Sequence, residues 1–93
     1  MTVVETSGHF RSGDMLIIDS THQGTIRVMD EFNYNLYKRG LGYEFLGGFT
    51  CFFPATVTVP RAGRWHAMVA YEGDPPGLDY RFKVRRAAGL QSA

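Results

Sequence analysis

The chain has 93 residues, 44% hydrophobic and 20% charged, with ten Lys plus Arg against nine Asp plus Glu and one cysteine. Such a length makes one domain that hides only about 60 to 65% of its unfolded surface, and a formal charge of +1 is far from the strongly basic balance of a nucleic-acid binder. The lone thiol excludes an internal disulfide and a Cys-rich zinc site and fits a reducing, cytoplasmic home, while the lack of a leader pattern in MTVVETSGHF and of any apolar run of about 18 residues argues against a membrane partner.

In chain order, residues 1–7 read as an N-terminal lead-in, 8–86 as a single domain and 87–93, AAGLQSA, as a flexible tail. Gly13 suits a tight turn before Asp14–Asp19, DMLIID, a short apolar run that reads as a strand buried on both faces. Thr25–Met29 alternates, with Ile26 and Val28 opposite Arg27, and is expected to form a hairpin with the preceding strand. Asp30 is placed to cap a helix over residues 31–39, which Gly40 ends in a left-handed turn. Within it Phe32, Leu36 and Tyr37 define the face expected to pack on a sheet, leaving Tyr34, Lys38 and Arg39 outward.

Tyr43 and Phe45, alternating with Glu44 between glycine pairs, read as a short strand, and Thr50–Phe53 as another that ends at Pro54. Thr56–Val59 follows, then the turn PRAG and the strand Trp65–Tyr71, with Trp65, Ala67, Val69 and Tyr71 on one face. Last, Leu78–Arg85 sets Tyr80, Phe82 and Val84 inward and Arg81, Lys83 and Arg85 outward. Together these elements predict a mainly β fold, a compact antiparallel β-sandwich of about six to eight short strands with one short helix near 31–39.

No constellation for catalysis stands out, and the chain is not expected to be an enzyme. His9, His22 and His66 are not at ligand spacing, so no metal and no cofactor is expected. Cys51 lies in an apolar, strand-like setting without a neighbouring cation to favour its thiolate. The serines match no nucleophile elbow, and Gly40, Gly42, Gly47 and Gly48 match no phosphate loop.

The informative concentration is aromatic: eight of the thirteen aromatic residues fall between 32 and 53, beside Lys38 and Arg39. Aromatic faces next to cations anchor protein partners or stack sugars and bases. Most of the phenylalanines are expected in the core, with Tyr34, Tyr37 and Tyr43 more exposed. A second cluster, Arg61, Arg64, Trp65 and His66, has the chemistry of an anion or carboxylate clamp, although Trp65 also suits a core anchor.

GHFRSGD (8–14), TIRVMDEFNYNLYKRG (25–40), YEFLGG (43–48) and PATVTVPRAGRWHAMV (54–69) resemble, in order and spacing, the bacterial family called domain of unknown function 1883. The resemblance covers roughly residues 8–85. It implies a compact β-sandwich without assigned catalysis, found alone or joined to signalling domains of the Toll/interleukin-1 receptor type, and an accessory or recognition role.

The leading expectation is a cytoplasmic, non-catalytic module that recognises a protein partner or assembles with itself, binding through Tyr34, Tyr37, Lys38, Arg39, Arg61, Arg64, Trp65 and His66. The alternative is a small-ligand domain for a sugar or nucleotide-like molecule at the same aromatic and Arg patch. Nucleic acid and membrane are not expected as partners.

Overall fold

Alternation of apolar and polar side chains builds seven strands and one helix, described over residues 1–87 by a computed structural model. The elements are β1 (Thr2–Phe10), β2 (Met15–Ser20), β3 (Gly24–Asp30), α1 (Glu31–Lys38), β4 (Leu46–Thr50), β5 (Ala55–Thr58), β6 (Gly63–Tyr71) and β7 (Tyr80–Arg85). They form a four-stranded sheet in the order β1-β6-β3-β4 and a three-stranded sheet in the order β5-β2-β7. Every pairing is antiparallel. The expected sandwich is therefore present.

The core lies between the sheets. The larger sheet contributes Ile26, Val28, Trp65, Ala67, Val69 and Tyr71, and the smaller sheet Leu16 and Ile18. Each large aliphatic side chain buried this way contributes about 1.5–3 kcal/mol. One polar bond crosses the core: the Tyr71 hydroxyl lies 2.8 Å from Ser20 Oγ. The only Ser20 hydroxyl hydrogen goes to the His22 carbonyl at 2.9 Å, so Tyr71 is the donor.

Several sequence expectations are corrected. Residues 1–7 are no lead-in but most of β1, which pairs with β6 from Thr2↔Tyr71 to Phe10↔Gly63. Its inward residues Thr2, Val4, Thr6 and Gly8 are small, so the apolar alternation is faint. The strands at 14–19 and 25–29 do not form a hairpin but sit in opposite sheets. Both carry an apolar row, Leu16 and Ile18 against Ile26 and Val28, and facing each other across the core buries both rows. Residues 21–23, bent at Thr21 and His22, carry the chain from one sheet to the other.

Tyr43 and Phe45 lie outside any strand; the strand is Leu46–Thr50, and Cys51–Phe53 forms a bend with Cys51 and Phe52 exposed and Phe53 half-buried against the core. Cys51 is accordingly exposed, not strand-borne. In β7 only Phe82 is half-buried, with Tyr80 and Val84 more than one-third exposed, because β1 and β7 share no ladder on that side of the sandwich.

At the other end of that open side, Asp14 is 1% exposed and acts as a clasp. Its carboxylate accepts from the backbone N–H of Arg11 at 2.8 Å, of Ala87 at 2.7 Å and from Arg86 Nη1 at 2.8 Å. Ala87 is thereby part of the fold; the remainder of the expected tail, 88–93, lies outside the described residues. The Arg11 amide first, then Ala87 and Arg86, hold the carboxyl at about 2 instead of its ordinary 3.8. A depressed carboxylate stabilises the fold above its unfolded value, and that contribution is lost as pH falls from near 3.8 through about 2. Thermal unfolding followed down this window should show an acid-labile step in the native chain that Asp14→Asn, already less stable at neutral pH, lacks. An unchanged acid limb in that variant would remove Asp14 as its source.

Candidate functional site

The sequence-selected residues gather where α1 docks on the outer face of the larger sheet. Asp30 caps the helix, accepting from the Asn33 N–H at 2.9 Å. At the other end Gly40 turns left-handed, φ +74°, with its N–H bonded to the Tyr37 carbonyl at 3.1 Å. Both punctuation residues act as the sequence predicts. The docking face does not: Phe32 is 70% exposed, and Tyr34 turns toward the sheet. Its ring stacks on His66 at 3.7 Å between centroids and 3° between planes. The outer face that α1 covers carries Glu5, Arg64 and His66 beside the buried Met29 and Met68, and on the stripe at 31, 34 and 38, one helical face by spacing, Glu31 and Tyr34 find hydrogen-bond partners there.

Nε2 of His66 lies 2.5 Å from Oε1 of Glu31, the carboxylate accepting. Arg64 reaches the same carboxylate at 3.9 Å and donates to Ser7 Oγ at 2.9 Å. The Tyr34 hydroxyl donates to Glu5 at 3.0 Å, and Lys38 Nζ lies 5.6 Å over the Tyr34 ring. Burial, then the hydrogen bond to Glu5, push the Tyr34 hydroxyl above its usual pKa. Arg61 pairs with Asp30 and lies 5.3 Å over Trp65, whose indole Nε1 donates back to the Arg61 carbonyl at 3.0 Å. Although burial pushes Asp30 up, the Asn33 amide and Arg61 guanidinium hold it below the usual carboxylate range. Tyr37 packs edge-on against Tyr43 at 5.2 Å, and Arg39 is an exposed C-cap residue.

The selected residues thus fall into two adjacent groups, Tyr34, Tyr37, Lys38, Arg64 and His66 around Glu31, and Arg61 with Trp65 beside Asp30, while Arg39 stands apart. Within the groups the charges are spent on one another. Trp65, 3% exposed, points into the core from the inner face of β6 and takes no part in a surface on the helix side. The two groups fasten the helix to the sheet instead of leaving an open clamp. Among the described residues no three His, Cys, Asp or Glu side chains come together to hold a metal ion, and no helix is long and apolar enough to cross a membrane.

The surface that sequence reasoning missed lies on the β4–β5 side. The phenylalanines expected inside are outside: Phe45, Phe49 and Phe52 are 42%, 66% and 81% exposed. β4 and β5 are edge strands of their sheets, and the stretch 45–60, FLGGFTCFFPATVTVP, carries no charged residue. Edge strands are usually guarded by charge or by proline within the strand, as the opposite edges are: β1 carries Glu5 and His9, and β7 Arg81, Lys83 and Arg85. The unguarded flank was visible in the sequence as a gap in charge.

A family model described as Domain of unknown function (DUF1883) matches residues 1–87. No curated protein and no solved structure matches the chain.

Proposed function

We propose that this chain, which belongs to the DUF1883 family, is a non-catalytic, cytoplasmic recognition module that assembles by adding a strand to β4, most simply the β4 of a second copy. The observation that carries this is the stretch 45–60, without a charged residue of its own, with Phe45, Phe49 and Phe52 exposed beside an open strand edge and Arg27 as the neighbouring charge, over Phe45. Contiguous exposed apolar surface of this kind marks interaction sites, and strand addition satisfies the unpaired edge groups.

The strand is also suited to its own copy. Gly47 and Phe49 share the outer face, paired with Arg27 and Thr25 of β3. In a two-fold antiparallel pair centred on Gly48, each Phe49 lies over the bare Gly47 of the mate, an arrangement in which an aromatic covers a glycine across strands.

The test is sedimentation velocity over a wide concentration range. The native chain is expected to dimerise, and Phe49→Lys, a change at an exposed position that alters folding stability by no more than about 0.5 kcal/mol, to remain a monomer. A native chain that stays monomeric, or a Phe49→Lys variant that still dimerises, would rule out self-pairing through β4.

A further inference from the structure

On the side opposite the aromatic flank, the two sheets part between β1 and β7 around a cleft of about 210 Å³. Its walls are apolar, with Phe10, Leu16, Trp65, Phe82 and Val84 among them, and Arg86 stands at its rim. β1 and β7 share no ladder there, and Gly8 leaves the gap unfilled. Gly8 faces Trp65 on the inner side of β1, where an Ala, Val or Leu would extend the core across the gap. Its backbone does not demand glycine, having no positive φ. A Cβ built there meets only Phe10 Cε1, at an ordinary 3.8 Å. Close approach of a ligand or of another backbone is one of the uses a glycine has inside a strand, beside bulges and bends.

The charge around the cleft is one-sided. Arg86 is the one lining residue with a formal charge and no Asp or Glu is among them; His9 and His66 belong to the outward rows of β1 and β6 and border the cleft only through their backbone. Arg86 spends one nitrogen, Nη1, on Asp14 at 2.8 Å and the His9 carbonyl at 3.2 Å, and its guanidinium lies 5.7 Å over Phe10. Its other nitrogens make no hydrogen bond among the described residues, which leaves donors for a second carboxylate in the planar geometry guanidinium favours. Asp14 sits behind Arg86 with both oxygens already accepting. It therefore orients the guanidinium without filling the cleft.

We infer that this cleft binds a small apolar carboxylate, its hydrocarbon part between the sheets against Trp65 and Phe82 and its carboxylate at Arg86. An apolar cavity of about 150 Å³ holds a benzene, so the larger volume here suits roughly eight to ten non-hydrogen atoms, the size of a medium-chain fatty acid. This site lies on the far side from β4 and is independent of the assembly proposed there.

The experiment is a titration of the isotope-labelled chain with octanoate, read by amide and indole chemical shifts. Saturable shifts are expected at Gly8, Phe10, Trp65 and Val84, with octylammonium binding at least about ten-fold more weakly because it meets Arg86 with like charge. Gly8→Leu should abolish the octanoate shifts. If that variant fails to fold, Val84→Phe, at a partly exposed position on the rim, provides the same block. No saturable shift in the native chain, shifts confined to the β4 flank, or unchanged binding in a folded blocked variant would overturn the site. Octylammonium binding as tightly as octanoate would overturn its assignment to carboxylates.

Discussion

Replacing Trp65 with alanine is expected to lower folding stability by about 3–5 kcal/mol, a large part of the roughly 5–15 kcal/mol that holds a small domain together. The indole is 3% exposed within the core cluster, it closes one end of the space between the sheets, and its Nε1–H is satisfied by the Arg61 carbonyl at 3.0 Å. Truncation removes the ring, leaves a cavity that rigid neighbouring strands cannot fill, and frees the carbonyl that held the turn before β6. Arg61→Ala and Arg64→Ala make the contrast. Their side chains are 61% and 44% exposed, and exposed ion pairs contribute only about 0–1 kcal/mol. Denaturant midpoints at constant m-value distinguish the two classes. A Trp65→Ala loss no larger than the arginine losses would mean that the indole does not anchor the core, and the cluster would again be open to reading as a binding face.

That contrast shows where the sequence was legible. Alternation along 65–71 identifies the inward row of β6, and the Asp30 and Gly40 signals bracket α1, because these depend on neighbours in the chain. What depends on distant partners was hidden. Asp14 reads only as the carboxylate that opens a short apolar strand; its role as a clasp comes from donors at 11, 86 and 87, the last two brought back only by β7. The helix face was misassigned because hydrophobicity alone sends Phe32 inward, whereas the surface under α1 offers Glu5, Arg64 and His66, which select Tyr34 and Glu31.

The site was legible in the same partial way. Proximity in sequence and a short connection bring Arg61, Arg64 and His66 under the helix, so the predicted cluster does assemble. Its function was not readable, since the same residue types serve as an anion clamp when unpaired and as a fastener when, as here, carboxylates at 30 and 31 meet them. Aromatic content also singled out segment 32–53 but said nothing about which side faces water. For Phe49 and Phe52 the absence of charge from 45 to 60 was the better signal, because a strand edge that meets only solvent would ordinarily carry it.

The same edge yields a sharper expectation at its glycines. Gly47 has φ +114° and Gly48 φ +144°, so a side chain at either position is strained by about 1–3 kcal/mol. Only at Gly47 is there a collision as well: a Cβ would fall 2.6 Å from the Ile26 carbonyl oxygen, whereas at Gly48 nothing lies within 4 Å. Gly47→Ala should therefore cost a further 1–3 kcal/mol or so beyond Gly48→Ala. Because β4 is an edge strand held by β3 alone, the strain is relieved most cheaply by releasing β4. Hydrogen exchange should then quicken at Leu46–Thr50 in Gly47→Ala, while the β1–β6 ladder stays protected. An assembly built on β4 would be lost with it, without global unfolding. Equal protection of β4 in the two glycine variants would show that the strand does not press on Ile26, and with it would go the geometry on which the two-fold pairing of Phe49 over Gly47 depends.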